Sequence, residues 1–328
     1  MSRWSVYIFF IAVCLFAFPQ RSPAPLVFRP GEGWIYEPVG GGKWVRGRAK
    51  DQLEVAQEAF DNKDYRTAMA AARRTVRQWP LSDYAPQAQY LVARCYEARG
   101  QDERAFKAYQ RLIETYPKLE NYDEVLERQH EIAGRFLAGQ WFKLFGYIPF
   151  FPSMEKTADM YAKVIKNGPY SDIAASAQMN IGAAREKQSD FPSAVRAYET
   201  AADRYHDRKE VAADAIFKAG MAYNKQARTA EYDQNIAEQA IATLTDFITL
   251  FPGDARVAEA QKVIASLRAE QARGSFKIAK FYESKKKWDG ALVYYNEVLV
   301  KNPDSELAQE ARERIDRLKK RTEETVQQ

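Results

Sequence analysis

The sequence predicts an all-α solenoid, and three observations carry that reading. In GALVYYNEVLVKNP, Ala291, Tyr295 and Val298 recur at spacings of three and four, so they share one helix face, and Pro303 stops the run. About a dozen residues upstream, KIAKFYES places Ala279 and Tyr282 on a matching helix, which makes a hairpin. The same hairpin then recurs along the chain.

Four further copies align with it. QEAFDNKDYRTAMAAARRTVRQWP carries Ala56, Ala59, Ala68, Thr75 and Pro80. LVARCYEARGQDERAFKAYQRLIETYP carries Ala93, Tyr96, Ala105, Tyr109, Leu112 and Pro117. NIGAAREKQSDFPSAVRAYETAADRY carries Gly182, Ala194, Tyr198 and Ala201. AGMAYNKQA followed by AEQAIATLTDFITLFP carries Gly220, Tyr223, Ala240, Leu244, Phe247 and Pro252. A small residue on each first helix faces a small residue on the second, which brings the two helices close, and the aromatic fills the gap to the next hairpin. From Ala68 to Ala105 the offset is roughly 37 residues, near the ~34 of a tetratricopeptide repeat. A lone hairpin of this kind cannot bury its apolar face, so neighbours must stack. The expected fold is a right-handed solenoid of about five to six tetratricopeptide-type hairpins over residues 48–328, closed by a C-terminal capping helix.

The 328 residues suffice for such an array. Hydrophobic residues make up 46% of the chain and the mean hydropathy is −0.54, which suits a folded helical protein. The net charge of +5 is mild and both signs are interspersed, so no nucleic-acid footprint is read. Of the two cysteines, Cys14 lies in the leader and Cys95 on an apolar helix face, which leaves one mature thiol and no intrachain disulfide.

At the N-terminus Arg3 precedes an apolar run from Trp4 to Phe18, short for a spanning helix and suited to a signal peptide or an N-terminal anchor over residues 1–18. Ile11-Ala12-Val13-Cys14 makes Cys14 a candidate for lipidation, the alternative being an ordinary leader residue. Residues 19–47 form a Pro/Gly-rich arm. WIYEPV and KWVRG flank Gly40-Gly41-Gly42 and suggest a small hairpin, with Trp34, Tyr36 and Trp44 packed on the first repeat. The arm serves either as a tether or to bind a partner.

Asp64 and Asp190 each stand four residues before the small residue of a second helix, where an N-cap belongs; Gln101 and Lys287 hold the same place in other copies. YDEVLERQHEIAGRFLAG reads as a first helix whose partner, MEKTADMYAKVIKNGPYSD, arrives late. Between them lies the apolar insert 141–152, whose Trp141, Phe142, Phe145, Phe150 and Phe151 need cover from the solenoid, a protein partner or lipid headgroups. KQARTAEYDQNI, residues 225–236, reads as a lengthened polar loop. DARVAEAQKVIASLRAEQARGSFKIAKFYES reads as one long helix, or two joined near Gly274. Leu307, Ala311, Ile315 and Leu318 stripe a final capping helix.

No phosphate-cradling loop, nucleophile elbow, HExxH or paired CxxC is present. His130 and His206 are isolated, and the carboxylates alternate with Lys and Arg as solvated faces do. The reading is non-enzymatic, with no cofactor and no metal. What remains is a concave groove lined by first helices. Its expected residues are Gln57, Phe60, Tyr90 and Arg94 in the first copies, then Met179, Phe217 and Met221. Arg94 beside Tyr90 suits a peptide carboxylate, with Phe60 receiving an apolar side chain; the plainer alternative is a row of exposed helix residues.

QEAFDNKDYRTAMAAARRTVRQWPLSDYAPQAQY near the start and SLRAEQARGSFKIAKFYESKKKWDGALVYYNEVLVKNPDS near the end resemble the BamD-type (YfiO-type) outer-membrane lipoproteins, the tetratricopeptide component of the β-barrel assembly machinery. The likeness covers roughly residues 50–320, and Phe276 to Tyr282 echoes that family's SVAxYY helix. Three features depart from the family: Val13 is bulkier than a lipobox residue, the insert 141–152 is an addition, and the arm is long. The resemblance implies an exported, periplasmic scaffold at the outer membrane, held there by an N-terminal anchor or a lipid. Its implied partners are a β-barrel assembly subunit and unfolded outer-membrane client segments. A periplasmic repeat protein coordinating envelope or division complexes, or a general tetratricopeptide adaptor, stays open as an alternative.

Overall fold

The computed structural model describes residues 26–29, 33–36, 44–144, 148–229 and 234–326. Contacts divide the chain into two compact units, residues 1–122 and 123–328. The calls on the leader, Cys14 and the side chains of Trp34 and Tyr36 lie outside the described residues.

In the first unit, β1 (Leu26–Arg29) pairs antiparallel with β2 (Gly33–Tyr36), Val27 opposite Ile35. The WIY segment thus pairs with the upstream LVFR and not with KWVRG. Trp44 does pack on the first repeat. The wholly buried Gln52 fixes it there, donating to the Trp44 carbonyl at 2.9 Å and accepting from the Arg46 amide at 2.8 Å. Two helical hairpins follow, α1 (Ala49–Asp61) with α2 (Tyr65–Gln78) and α3 (Tyr84–Ala98) with α4 (Asp102–Thr115).

The second unit opens with α5 (Tyr122–Leu137) and α6 (Met154–Asn167), which enclose the two-stranded β3 (Phe142–Leu144) and β4 (Ile148–Phe151). Then come α7 (Asp172–Lys187) with α8 (Phe191–Arg204), α9 (Lys209–Thr229) with α10 (Gln234–Leu250), α11 (Val257–Ser284) with α12 (Trp288–Lys301), and the capping helix α13 (Glu306–Val326). α11 is one unbroken helix through Gly274. The stretch 225–236 is mostly helix rather than loop, since α9 runs to Thr229 and α10 starts at Gln234. Ala227 is buried there and Ile236 packs on the same cluster with Ala237, Ala240 and Leu267, so apolar contacts carry the two helices further than the polar residues suggest.

Each hairpin repeats the same local physics. The paired small residues are buried: Ala56 and Ala68, Ala93 and Ala105, Ala279 and Ala291 show no exposure at all. At Gly182 the approach is tightest, because a Cβ there would sit 2.4 Å from the Tyr198 ring. In four of the hairpins the turn between helices uses one left-handed residue, Lys63, Gly100, Ser189 or Lys286, with φ of 57° to 64°. Asp64 and Asp190 then cap the second helix by accepting from Thr67 and Ser193 amides, whereas Gln101 and Lys287 make no such bond. The aromatic of the second helix is the largest buried side chain of its hairpin: Tyr109, Tyr161, Tyr198 and Tyr295. Tyr109 donates to Glu97 at 3.0 Å and Tyr295 to Glu283 at 2.6 Å, each acid lying twelve residues earlier on the first helix. The pair thus pins the end of one helix to the middle of the next. Burial, with the facing carboxylate, raises these phenols far above their ordinary value, so they remain donors.

A candidate peptide-binding site on the first two hairpins

α1 carries Gln57 and Phe60 on its last turns, and α3 carries Tyr90 and Arg94 one turn apart. Residues four apart on a helix face the same way, so Tyr90 and Arg94 form one ledge. The Arg94 Nη1 donates to the Tyr90 hydroxyl at 3.1 Å. Its guanidinium carbon lies 5.7 Å from the Phe60 ring centre and 5.8 Å from that of Tyr90, a cation held between two π faces. Both rings are themselves anchored. Phe60 meets Tyr65 edge-on at 5.5 Å, and Tyr90 lies 5.8 Å from the buried Tyr109. The core tyrosine of the second hairpin therefore sets the position of a guanidinium at the surface. Arginine keeps its charge at any working pH, and its planar fork matches a carboxylate. The exposed Gln57 turns its amide to Asp61 at 3.3 Å.

The structure thus brings Phe60, Tyr90 and Arg94 together, and it does not bring Met179, Phe217 and Met221 to an open groove. Met179 is 7% exposed and sits in the core beside Ala194 and Tyr198. Phe217 is 8% exposed, 5.2 Å from Phe247, and Met221 packs on the same cluster. The counting from small residues failed there because the later hairpins pack longer side chains at those positions. Above Phe217 and Phe247 lies Arg256, at 4.9 and 5.5 Å, bonded to Asp214 at 2.7 Å and to Asp254 at 2.8 Å. The Arg256 side chain and backbone bonds hold the Asp254 carboxyl at about 2. The signal for this cluster was a D-x-R step just before a helix, with an Asp on the preceding first helix.

The insert divides in the same way. Phe142 is buried and stacks on Phe136 at 4.1 Å, so it belongs to the interior and is no partner or membrane contact. Its face is covered by Lys156, 5.1 Å from the Phe142 ring and 5.1 Å from that of Phe151. Trp141, Ile148 and Phe151 remain exposed. Phe145 and the Phe150 side chain lie outside the described residues.

His130 is half-buried, 2.8 Å from the Ser176 hydroxyl and edge-on to Tyr161 at 5.4 Å. Burial lowers its pKa, against the nearby Glu131, which raises it. His206 is an exposed turn residue bonded to the Asp203 carbonyl. Burial pushes the Cys95 thiol up to about 11, which leaves it inert. Among the described residues, no three His, Cys, Asp or Glu side chains gather as metal ligands, and no helix is long and apolar enough to cross a membrane.

A tetratricopeptide repeat model matches residues 87–118, the α3–α4 hairpin. A search of curated proteins returned no match. Among solved structures, the C-terminal part of a TPR repeat-containing protein from Cytophaga hutchinsonii is 12% identical, covering 80% of this chain and 87% of its own, with a TM-score of 0.38. YrrB, described as a TPR protein with an unusual peptide-binding site, is 13% identical over 66% of this chain and 92% of its own, TM-score 0.34. MamA from Desulfovibrio magneticus is 14% identical over 63% and 97%, TM-score 0.33. The family model described as YfiO, outer membrane lipoprotein, matches residues 153–325, from the cap of α6 to the last turn of α13 and just over half of the sequence. The chain, a tetratricopeptide-type protein-binding scaffold, belongs to the YfiO family of outer membrane lipoproteins.

Proposed function

We propose that this protein is a non-enzymatic periplasmic scaffold in outer-membrane β-barrel assembly and insertion. The observation that supports the reading most is the Arg94 guanidinium framed by Phe60 and Tyr90, on a chain whose second unit matches an outer-membrane lipoprotein family. A client segment lays a carboxylate on Arg94 and an apolar side chain against Phe60. A barrel-assembly subunit docks on the C-terminal hairpins, where Phe281, Val293 and Val300 are exposed on α11 and α12. The leader, or a lipid on Cys14, holds the scaffold at the membrane, with residues 1–18, 19–47 and 48–328 as anchor, arm and repeat domain. Depletion then lowers many outer-membrane barrel proteins together, measured by quantitative proteomics of the envelope; unchanged barrel levels after depletion would rule the reading out. The mass of the mature N-terminus checks the anchor: a diacylglyceryl group on Cys14 is the lipoprotein outcome, and an intact Met1 the retained-leader one.

A further inference from the structure

The first unit carries a cavity of about 530 Å3 between α2, α3 and α4. Its rim is cationic, with Arg73 and Arg77 from α2 and Arg104, Lys107 and Arg111 from α4. Spacings of three and four put each set on one helix face. No acidic side chain lines the cavity. Its floor is apolar: Val76, Val92, Ala108 and the Tyr96 ring. Val92 and Tyr96 lie on the side of α3 opposite Tyr90 and Arg94, so this site is separate from the peptide ledge.

Neighbours account for part of this charge. Lys107 pairs with Glu103 at 2.7 Å, Arg104 donates to Gln101 at 3.2 Å, and Arg73 bonds the Tyr96 hydroxyl while lying 5.5 Å from its ring centre. Arg77 and Arg111 have no ion-pair partner among the described residues. With Lys107 paired to Glu103, the four arginines still crowd positive charge around so small a space, and a compact anion of more than one charge relieves that most. A peptide spreads single carboxylates at about 3.3 Å per residue along an extended chain and suits a longer groove. The cavity is open to solvent on one side and has room for a compact charged group. Arginine forks match phosphate oxygens in pairs.

We infer that this cavity binds a phosphate-bearing group of two or more negative charges, its apolar portion resting on Val76 and Val92. A soluble phosphate ester and a phospholipid headgroup with two phosphates share that chemistry. The test titrates the full chain with inorganic pyrophosphate and with glycerol 3-phosphate, and sediments it with phosphatidylcholine vesicles with and without cardiolipin, whose headgroup carries two phosphates. Wild-type protein is expected to bind, with affinity falling as salt rises. Arg77→Gln with Arg111→Gln is expected to weaken binding at least about ten-fold, the scale of one lost charge-assisted contact. Arg204→Gln with Lys209→Gln, equal in charge and distant in sequence, is expected to leave it unchanged. Loss of vesicle binding in the cavity variant assigns the lipid source, and pyrophosphate binding alone assigns the soluble one. Should the double variant melt early, Arg111→Glu alone replaces it. Absence of binding to every probe, equal loss in the control, or tighter binding of a polyglutamate peptide than of pyrophosphate would each overturn the inference.

Discussion

The Tyr198 ring lies where a Cβ on Gly182 would be, only 2.4 Å away, so this glycine is present for space and not for backbone freedom. Gly182→Ala is expected to lower stability by about 1–3 kcal/mol through overpacking, while Gly253→Ala, which meets nothing within 4 Å, changes little; denaturant melts compare the two. Conformation, by contrast, governs Lys63, Ser189 and Lys286, which hold φ near +60°. A left-handed residue with a side chain carries a cost of about 1–2 kcal/mol that glycine avoids. Ser189→Gly or Lys286→Gly should therefore raise the unfolding free energy by up to about 1 kcal/mol, offset in part by the entropy of the unfolded glycine, as read from denaturant melts. His130 titrates in a definite direction. Its folded value is lowered by burial, so the unfolded chain takes up the proton first. Stability is full above about pH 6.5 and falls as the pH drops below that value towards the lowered folded one. In melts across that window, His130→Asn should flatten the loss. The small-residue register was readable in the sequence, because Ala and Gly at a fixed offset have no other explanation at a helix crossing. The left-handed turn was not, since three of its four residues are Lys or Ser rather than Gly.

At the scale of elements, the tyrosine–glutamate pin is the repeat's most consistent device. Glu283 shows how it works. Burial alone would raise its carboxyl, but hydrogen bonds from Tyr295 and Arg314 outweigh that and hold it below its usual range. Tyr295→Phe removes a charge-assisted bond from a buried site and should cost about 1.5–3 kcal/mol, read as a shift in the unfolding midpoint. The signal for this pin was present, an acid twelve residues before three of the four core tyrosines, at Glu97, Glu186 and Glu283; Tyr161, with Pro149 at that place, lacks it. Helix bounds were legible where an Asp caps and an apolar face repeats, as in α2 and α8. They were less so in 225–236, where polar residues signalled a loop although nothing in them breaks a helix. The arm is less legible for a related reason: Gly40-Gly41-Gly42 points the pairing of WIY downstream in the sequence, whereas it pairs with the upstream LVFR.

At the scale of the molecule, five of the six hairpins and the cap follow from one repeated pattern, and the sixth is that pattern interrupted by β3 and β4. The site was only half legible. Phe60, Tyr90 and Arg94 lie together, where a count from the regularly placed small residues of the early hairpins puts them; that they receive a peptide is a proposal. Met179 and Phe217 lie where larger cores draw the same positions inward, and Met221 is partly buried beside Phe217. The cationic cavity is not legible in the sequence because net charge averages over the chain, whereas Arg77 and Arg111 come to line one cavity only once α2 and α4 have each packed on α3. The most direct test of the account is a fluorescence titration of the full chain with an unstructured peptide from the C-terminus of an outer-membrane barrel protein, bearing a free carboxylate. The account predicts saturable binding that weakens at least about ten-fold in Arg94→Gln, and equally when the peptide is amidated. Equal affinity for the free and amidated peptides, unchanged in Arg94→Gln, would contradict it.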